Sequence, residues 1–227
     1  MRVIKSRQLR NVIGTLVPLL MIPAVIVAGA VAGGDRSYLA ITLSVVILSV
    51  VLFISGIDRK RTGTRRLVLC AVMAALAVAG RFIPALKPVA AIATVSGIYL
   101  GRESGFLVGS MSAVLSNFYF GQGPWTPFQM LAWGLIGYFA GLMSETLKKS
   151  RTALYAYGLL SGAFFSLVMD VWTVLWAGLF SADRYFDAVL TSLPHTVLYA
   201  VSNLIFLILM SGTFSERLER IKVKYGI

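Results

Sequence analysis

The chain has 227 residues, of which 58% are hydrophobic and only 13% are charged, and its mean hydropathy is +0.82. This composition excludes a water-soluble fold, because an aqueous core cannot hide several apolar runs of about 20 residues, the length that crosses a bilayer. The formal net charge of +12 does not point to a nucleic acid, because the basic residues cluster at the ends of the apolar runs.

Apolar runs separated by charge clusters and by glycine or proline predict eight membrane-spanning helices. They cover residues 12–32, 38–57, 67–83, 88–100, 104–120, 127–144, 153–179 and 191–211. The run 88–100 is short for a crossing, so other parts of the protein should cover its backbone. Pro18 and Pro23 should kink the first run. A basic linker over 58–66 predicts two parts, a pair of N-terminal helices (1–60) and a six-helix membrane domain (61–227).

The basic residues predict the topology. With a cytoplasmic N-terminus and eight crossings, 17 of the 21 lysines and arginines fall on the inner side, and only Arg36, Arg81, Lys87 and Arg184 fall on the outer side. This asymmetry follows the positive-inside rule. We therefore expect a multi-pass cell-membrane protein, in contact with lipid, with both termini in the cytoplasm.

The sequence carries no recognisable enzymatic signature. It has one histidine and one cysteine, and it lacks an HExxH, a GxSxG, a Walker A loop and a paired acidic motif. We therefore predict that the chain is not an enzyme and holds neither a catalytic metal nor another cofactor. Active transport would need an ion gradient or an ATP-hydrolysing partner.

The densest pattern of candidate ligand-binding residues is NFYFGQGPWTPFQMLAW, residues 117–133. Glycines and prolines predict a tight outer turn between two helices. Amides and aromatic rings surround this turn, which is the usual chemistry of a small-molecule pocket. The candidate residues are Asn117, Tyr119, Gln122, Trp125, Gln129 and Trp133. The alternative is an aromatic belt around an ordinary loop.

Polar residues in the last two predicted helices are further candidates. Asp170 is the only acid deep within a span, and it either contacts a ligand or serves helix packing. Trp172 lies on one helix face with Trp176 and either stacks on a planar ligand or anchors the membrane interface. His195 and Tyr199 form a polar stripe with Asn203 that either lines a ligand site or joins two helices by hydrogen bonds.

Alanines recur every four residues in the helix predicted over 67–83, at Ala71, Ala75 and Ala79. Small residues at this spacing give a flat face that another helix can approach closely. The face serves either a partner protein or packing within the chain.

Residues 67–211 resemble the substrate-binding S components of energy-coupling factor (ECF) transporters. The resemblance rests on the AxxxA pattern at Ala71 and Ala75, the GQGPWTPFQM segment, and three outward loops near 81–88, 120–127 and 180–194. It implies a subunit that captures a vitamin or metal outside the cell and docks on a transmembrane coupling subunit driven by two cytoplasmic ATPases. Ala71 and Ala75 would face that coupling subunit.

The resemblance also implies a fold and a substrate. The fold would be all-α and integral to the membrane, a six-helix S-component-like bundle preceded by two extra transmembrane helices. The GQGPWTPFQM segment looks most like that of cobalamin-specific members, so the transported ligand would be cobalamin or a related corrinoid. Alternatives are an S component for another vitamin such as riboflavin, a stand-alone ion-coupled transporter using Asp170 and His195, and an intramembrane enzyme acting on a lipid.

Overall fold

A computed structural model describes residues 6–32, 37–57, 63–84, 86–178 and 180–225. Within these ranges the secondary structure is helical, without a β-strand, and the expected all-α fold is confirmed. The elements are α1 (Arg7–Leu16), a π-helical turn (Val17–Met21), α2 (Ile22–Ala32), α3 (Ser37–Ser55), α4 (Gly63–Gly80), α5 (Val89–Leu100), α6 (Arg102–Phe120), α7 (Trp125–Leu142), α8 (Ser144–Lys149), α9 (Arg151–Trp176), α10 (Ala182–Met210) and α11 (Thr213–Tyr225).

Each of the eight predicted apolar runs contains a helix. Among the described residues, four segments are long and apolar enough to cross a membrane, namely Arg7–Val31, Ser37–Ser55, Arg151–Trp176 and Ala182–Met210. The π-helical turn that contains Pro18 interrupts the first of these segments, because proline removes a backbone donor from the α-helical ladder.

The short helix α5 lies at the centre of the bundle. All of its residues except Tyr99 are buried, and it packs against α4, α6, α7 and α10. Its 12 residues rise only about 18 Å at 1.5 Å per residue, which is less than the hydrocarbon thickness. The loop before it therefore enters the bundle, where the Lys87 backbone N–H donates to Ser202 Oγ of α10 at 2.7 Å.

Two boundary predictions are wrong. The outward loop expected near 180–194 is helical, because α10 begins at Ala182 and contains Pro194 within the helix. Its first turn carries Asp183, whose charge suits a helix N-terminus. The linker expected over 58–66 ends earlier, because α4 already begins at Gly63. Residues 58–62 and the outer-side Arg36 lie outside the described ranges.

Glycines allow α5, α6 and α7 to approach closely. A Cβ atom on Gly137 of α7 would overlap the carbonyl oxygen of Gly105 on α6, and a Cβ atom on Gly97 of α5 would overlap the carbonyl oxygen of Gly137. The three backbones therefore meet without side chains between them, as in other tightly packed membrane helices.

The N-terminal helices pack against α6 and α7, and polar contacts fasten them there. Tyr138 Oη donates to the carbonyl oxygen of Gly14 at 2.7 Å. Arg66 donates to the carbonyl oxygen of Gly56 at 3.1 Å and pairs with Glu103 at 3.4 Å. The first two membrane helices thus share a packed interface with the six-helix part.

Candidate ligand-binding site

Asn117 is the centre of a hydrogen-bonded network at the turn between α6 and α7. Its side chain is 1% exposed. Its Nδ2 donates to Thr126 Oγ1 at 2.9 Å and to Gln129 Oε1 at 2.8 Å, and its Oδ1 accepts from Arg81 at 2.7 Å. The amide thus uses both donor hydrogens and its oxygen within the protein.

Gln122 closes the same turn. Its Nε2 donates to the carbonyl oxygen of Val114 at 2.8 Å, and its Oε1 accepts from Thr126 Oγ1 at 3.0 Å. Gly121 has φ = +100°, a conformation that glycine adopts at little cost. The predicted amides Asn117, Gln122 and Gln129 therefore come together, but they bind one another and the backbone.

Arg81 is a site residue that the sequence analysis did not select. Its Nη1 donates to Ser116 and Asn117, and its guanidinium carbon lies 4.7 Å from the ring centre of Phe120 and 5.2 Å from that of Trp133. A partly buried arginine in a membrane protein is costly unless it has partners or a function. One sequence signal was available, because Arg81 is among only four basic residues on the predicted outer side.

Lys87 adds a second cation to the same loop. Its Nζ donates to the carbonyl oxygens of Arg81 at 2.7 Å and Ile83 at 3.2 Å, and it lies 5.9 Å from the ring centre of Phe120. These bonds tie the loop between α4 and α5 to itself. They hold the backbone of Arg81 in the position from which its side chain reaches Asn117.

Three rings on three helices form an aromatic ladder, which we define as Trp133, Phe165 and Tyr199. Trp133 and Phe165 stack with ring centres 4.9 Å apart and planes 8° apart, and Tyr199 meets Phe165 edge-on at 4.9 Å. The ladder joins α7, α9 and α10. It brings together the predicted residues Trp133 and Tyr199 through Phe165, which the sequence analysis missed.

A second aromatic contact joins the start of α7 to the end of α9. Trp125 and Trp172 meet edge-on with ring centres 5.9 Å apart. Within the described ranges, Trp172 Nε1, Thr94 Oγ1 and Asn203 Oδ1 are buried polar atoms without a hydrogen-bond partner. Each such atom costs roughly 1–3 kcal/mol, which a polar ligand or a water molecule would recover.

Asp170 lies between α9 and α10 and not beside the ladder. Its Oδ2 accepts from Ser192 Oγ at 2.8 Å. Ser166 and Thr196 continue this polar contact, with Thr196 Oγ1 donating to Ser166 Oγ at 2.6 Å. Asp170 follows Phe165 by five residues and therefore faces a different side of the helix. The placement corresponds to the helix-packing alternative.

Two predicted ligand residues lie on the surface. Tyr119 is 73% exposed and contacts Phe82 and Phe120. His195 is exposed, Tyr199 is half-buried and Asn203 is buried. A spacing of four residues turns the side chain by about 40° per step on an α-helix, so the stripe rotates from the surface into the core.

The alanine face of α4 is open. Ala71, Ala75 and Ala79 are all exposed, whereas Ala74 and Ala77 on the other side of the helix are buried. The three alanines therefore do not serve packing within the described part of the chain. Large aliphatic side chains flank them, and these are also exposed: Leu67, Val68, Val72 and Leu76.

Comparison with known proteins gives one match. A family model described as ECF-type riboflavin transporter, S component, matches residues 61–215, which is about two thirds of the chain and leaves α1–α3 outside. No curated protein and no solved structure matches the chain. The chain therefore belongs to the S component family of ECF transporters, whose members are substrate-specific subunits of membrane importers and not enzymes.

Proposed function

We propose that this S component captures a vitamin with a flat, conjugated ring at the end of the bundle that carries the turn between α6 and α7. That end faces outward in the predicted topology. The coupling subunit and two cytoplasmic ATPases of the ECF module would then drive its import. The observation that carries the proposal is the aromatic ladder with Arg81 beside it. Trp133 belongs to the ladder and also lies 5.2 Å from the guanidinium.

The ladder favours a planar ligand. The rings of Trp133 and Phe165 are nearly parallel, so a flat ring system can stack against them or take the place of one of them after a side-chain rotation. Among the described contacts, the hydrogen bonds of Arg81 use only Nη1. Three of its five donors are therefore available to ring carbonyl or nitrogen acceptors of a vitamin.

Riboflavin is the first candidate substrate. The family description names riboflavin, and its isoalloxazine ring is flat with several hydrogen-bond acceptors along one edge. Stacking on the ladder and donation from Arg81 would use both properties. Buried Asn203 Oδ1 and Trp172 Nε1 could accept from and donate to further polar groups of such a ligand.

Cobalamin or a related corrinoid is the second candidate. The GQGPWTPFQM segment, residues 121–130, carries the resemblance to cobalamin-specific members. However, the amides that suited an amide-rich corrinoid bind partners within the protein. This internal pairing leaves fewer groups for a corrinoid and favours the flat-ring substrate.

Parallel titrations of the purified chain test the substrate. Riboflavin binding beside tryptophan should quench flavin fluorescence, and cobalamin binding can be followed by equilibrium dialysis and absorbance. We expect saturable binding of riboflavin and no displacement of it by excess cobalamin. Saturable binding of cobalamin that excludes riboflavin would instead support the corrinoid, and binding of neither would contradict both assignments.

We further propose that the alanine face of α4 docks on the coupling subunit. Its exposure leaves room for a helix to approach, and the N-terminal helices pack on α6 and α7 without covering it. The stand-alone ion-coupled transporter has less support. Its two proposed coupling residues do not meet, because Asp170 is buried between α9 and α10 whereas His195 is exposed.

A further inference from the structure

A cavity of about 190 Å³ lies at the opposite end of the bundle from the turn between α6 and α7. Residues of α5, α8, α9, α10 and α11 surround it. Its polar lining includes Tyr99, Lys148 and Arg151, and its apolar lining includes Ile98, Leu154 and Leu207. In the predicted topology this end of the bundle faces the cytoplasm. The ligand site proposed above does not include any of these residues.

The cavity is electropositive. The Arg151 side chain is exposed and has no hydrogen-bond or ion-pair partner among the described residues, and Arg151 is the first residue of α9, where the helix dipole adds positive potential. Lys148 Nζ lies 4.8 Å from the ring centre of Tyr99 and pairs with Glu219 at 3.0 Å. The Glu219 side chain is 43% exposed, so this pair holds Lys148 only weakly.

We propose that this cavity binds the phosphate group of an anionic phospholipid from the cytoplasmic leaflet. A guanidinium fork suits phosphate oxygens in bidentate geometry, and the lysine ammonium and the tyrosine hydroxyl supply further donors. Anionic lipids of the inner leaflet concentrate at basic residues on this surface. The aliphatic lining beside the cations suits the apolar part of a lipid, which a soluble phosphate compound lacks.

Lipid retention by the purified chain tests the proposal. The full-length protein, held in a neutral detergent, is titrated with phosphatidylglycerol or phosphatidylcholine, and bound lipid is counted by native mass spectrometry. We expect phosphatidylglycerol to be retained in preference to phosphatidylcholine. Arg151→Gln should weaken phosphatidylglycerol binding about tenfold, because the variant loses the charge-assisted hydrogen bonds of the guanidinium to the phosphate.

The matched control is Lys149→Gln, which removes the same charge from the adjacent helix. The Lys149 side chain is 79% exposed and does not line the cavity, so we expect binding within about twofold of the unchanged protein, in line with the small effect of exposed charges. Equal retention of the two lipids, or an equal loss in Lys149→Gln and Arg151→Gln, would overturn the proposal.

Inorganic phosphate distinguishes a lipid from a soluble source. If phosphate does not displace phosphatidylglycerol, the result supports the lipid. If phosphate displaces it completely and alone protects the protein equally well against thermal unfolding, the lipid proposal is overturned in favour of a soluble phosphate compound. If Arg151→Gln does not fold, Arg151→Lys serves instead, and it should retain the charge but bind severalfold more weakly because the fork is lost. Vitamin binding should not change in either variant, so this test is independent of the proposed substrate.

Discussion

Arg81 donates a hydrogen bond from Nη1 to Asn117 Oδ1 over 2.7 Å, and this bond joins the loop after α4 to the turn between α6 and α7. The two residues are 36 positions apart in the sequence. The contact places a cation beside Trp133 and next to the aromatic ladder. A change at either residue should therefore affect both the two loops and the proposed ligand site.

Asn117→Ala should destabilise the protein by about 3 kcal/mol. The substitution leaves Thr126, Gln129 and Arg81 each without one partner, and an unsatisfied buried group costs about 1–3 kcal/mol. Thermal or denaturant unfolding in detergent measures the loss. Gln8→Ala on α1 is the control, because Gln8 is exposed and should change stability by less than about 0.5 kcal/mol. Equal stability of the two variants would contradict a structural role for Asn117.

Arg81→Lys should weaken vitamin binding by at least about tenfold. Lysine keeps the charge but loses the planar fork, so it cannot hold Asn117 and present further donors at the same time. Fluorescence titration with riboflavin measures the change. Arg184→Lys is the control, because Arg184 is also on the predicted outer side but is exposed at the start of α10. The affinity of this variant for riboflavin should not change. If Arg81→Lys binds riboflavin with unchanged affinity, the guanidinium does not contact the vitamin.

Hydropathy predicted a helix in each of the eight apolar runs, because a long apolar run must be buried in lipid or in protein, and a helix satisfies its own backbone hydrogen bonds in either surrounding. The four-residue spacing of Ala71, Ala75 and Ala79 likewise predicted that they share one side of α4, and all three are exposed. The hydrogen bond from Arg81 to Asn117 could not be predicted, because it depends on the short length of α5 and on the loop that enters the bundle before it. Phe165 was missed for a related reason, since in the sequence it resembles any other packed aromatic residue.

The start of α10 illustrates a different limit. Asp183, Arg184 and Asp187 looked like loop residues because charges end an apolar run, yet all three are exposed on a helix. Charges there face solvent, so they end the apolar run without ending the helix. The close packing of α6 and α7, in contrast, has a readable signal in the small-residue spacing of Gly105 with Gly109 and of Gly137 with Gly141.

Gly137→Ala should destabilise the bundle by about 3 kcal/mol. The added methyl group would overlap the backbone of Gly105, and backbone cannot move aside as a flexible side chain can, so the cost lies at or above the usual 1–3 kcal/mol of overpacking. Gly212→Ala is the matched control, because nothing lies within 4 Å of a Cβ atom at that position. Thermal unfolding of the two variants gives the comparison, and equal midpoints would contradict the close approach of α6 and α7.

Ala71→Leu and Ala75→Leu should separate docking from ligand binding. Both alanines are exposed, so the larger side chain meets no other described part of the chain, and stability should change by less than about 0.5 kcal/mol. Vitamin binding by the purified chain should also persist. On a flat helix–helix interface, however, the added branched side chain would keep the partner helix away, and we expect loss of the complex with the coupling subunit in co-purification.

Ala40→Leu supplies the control for this docking prediction. Ala40 is exposed on α3, so the same change of size occurs on an exposed surface of a helix that packs mainly on α2, α6 and α7 rather than on α4. We expect this variant to retain the coupling subunit and to support vitamin uptake in cells. If Ala71→Leu and Ala75→Leu assemble and transport as well as Ala40→Leu does, the partner binds elsewhere, and the open face of α4 serves contact with lipid.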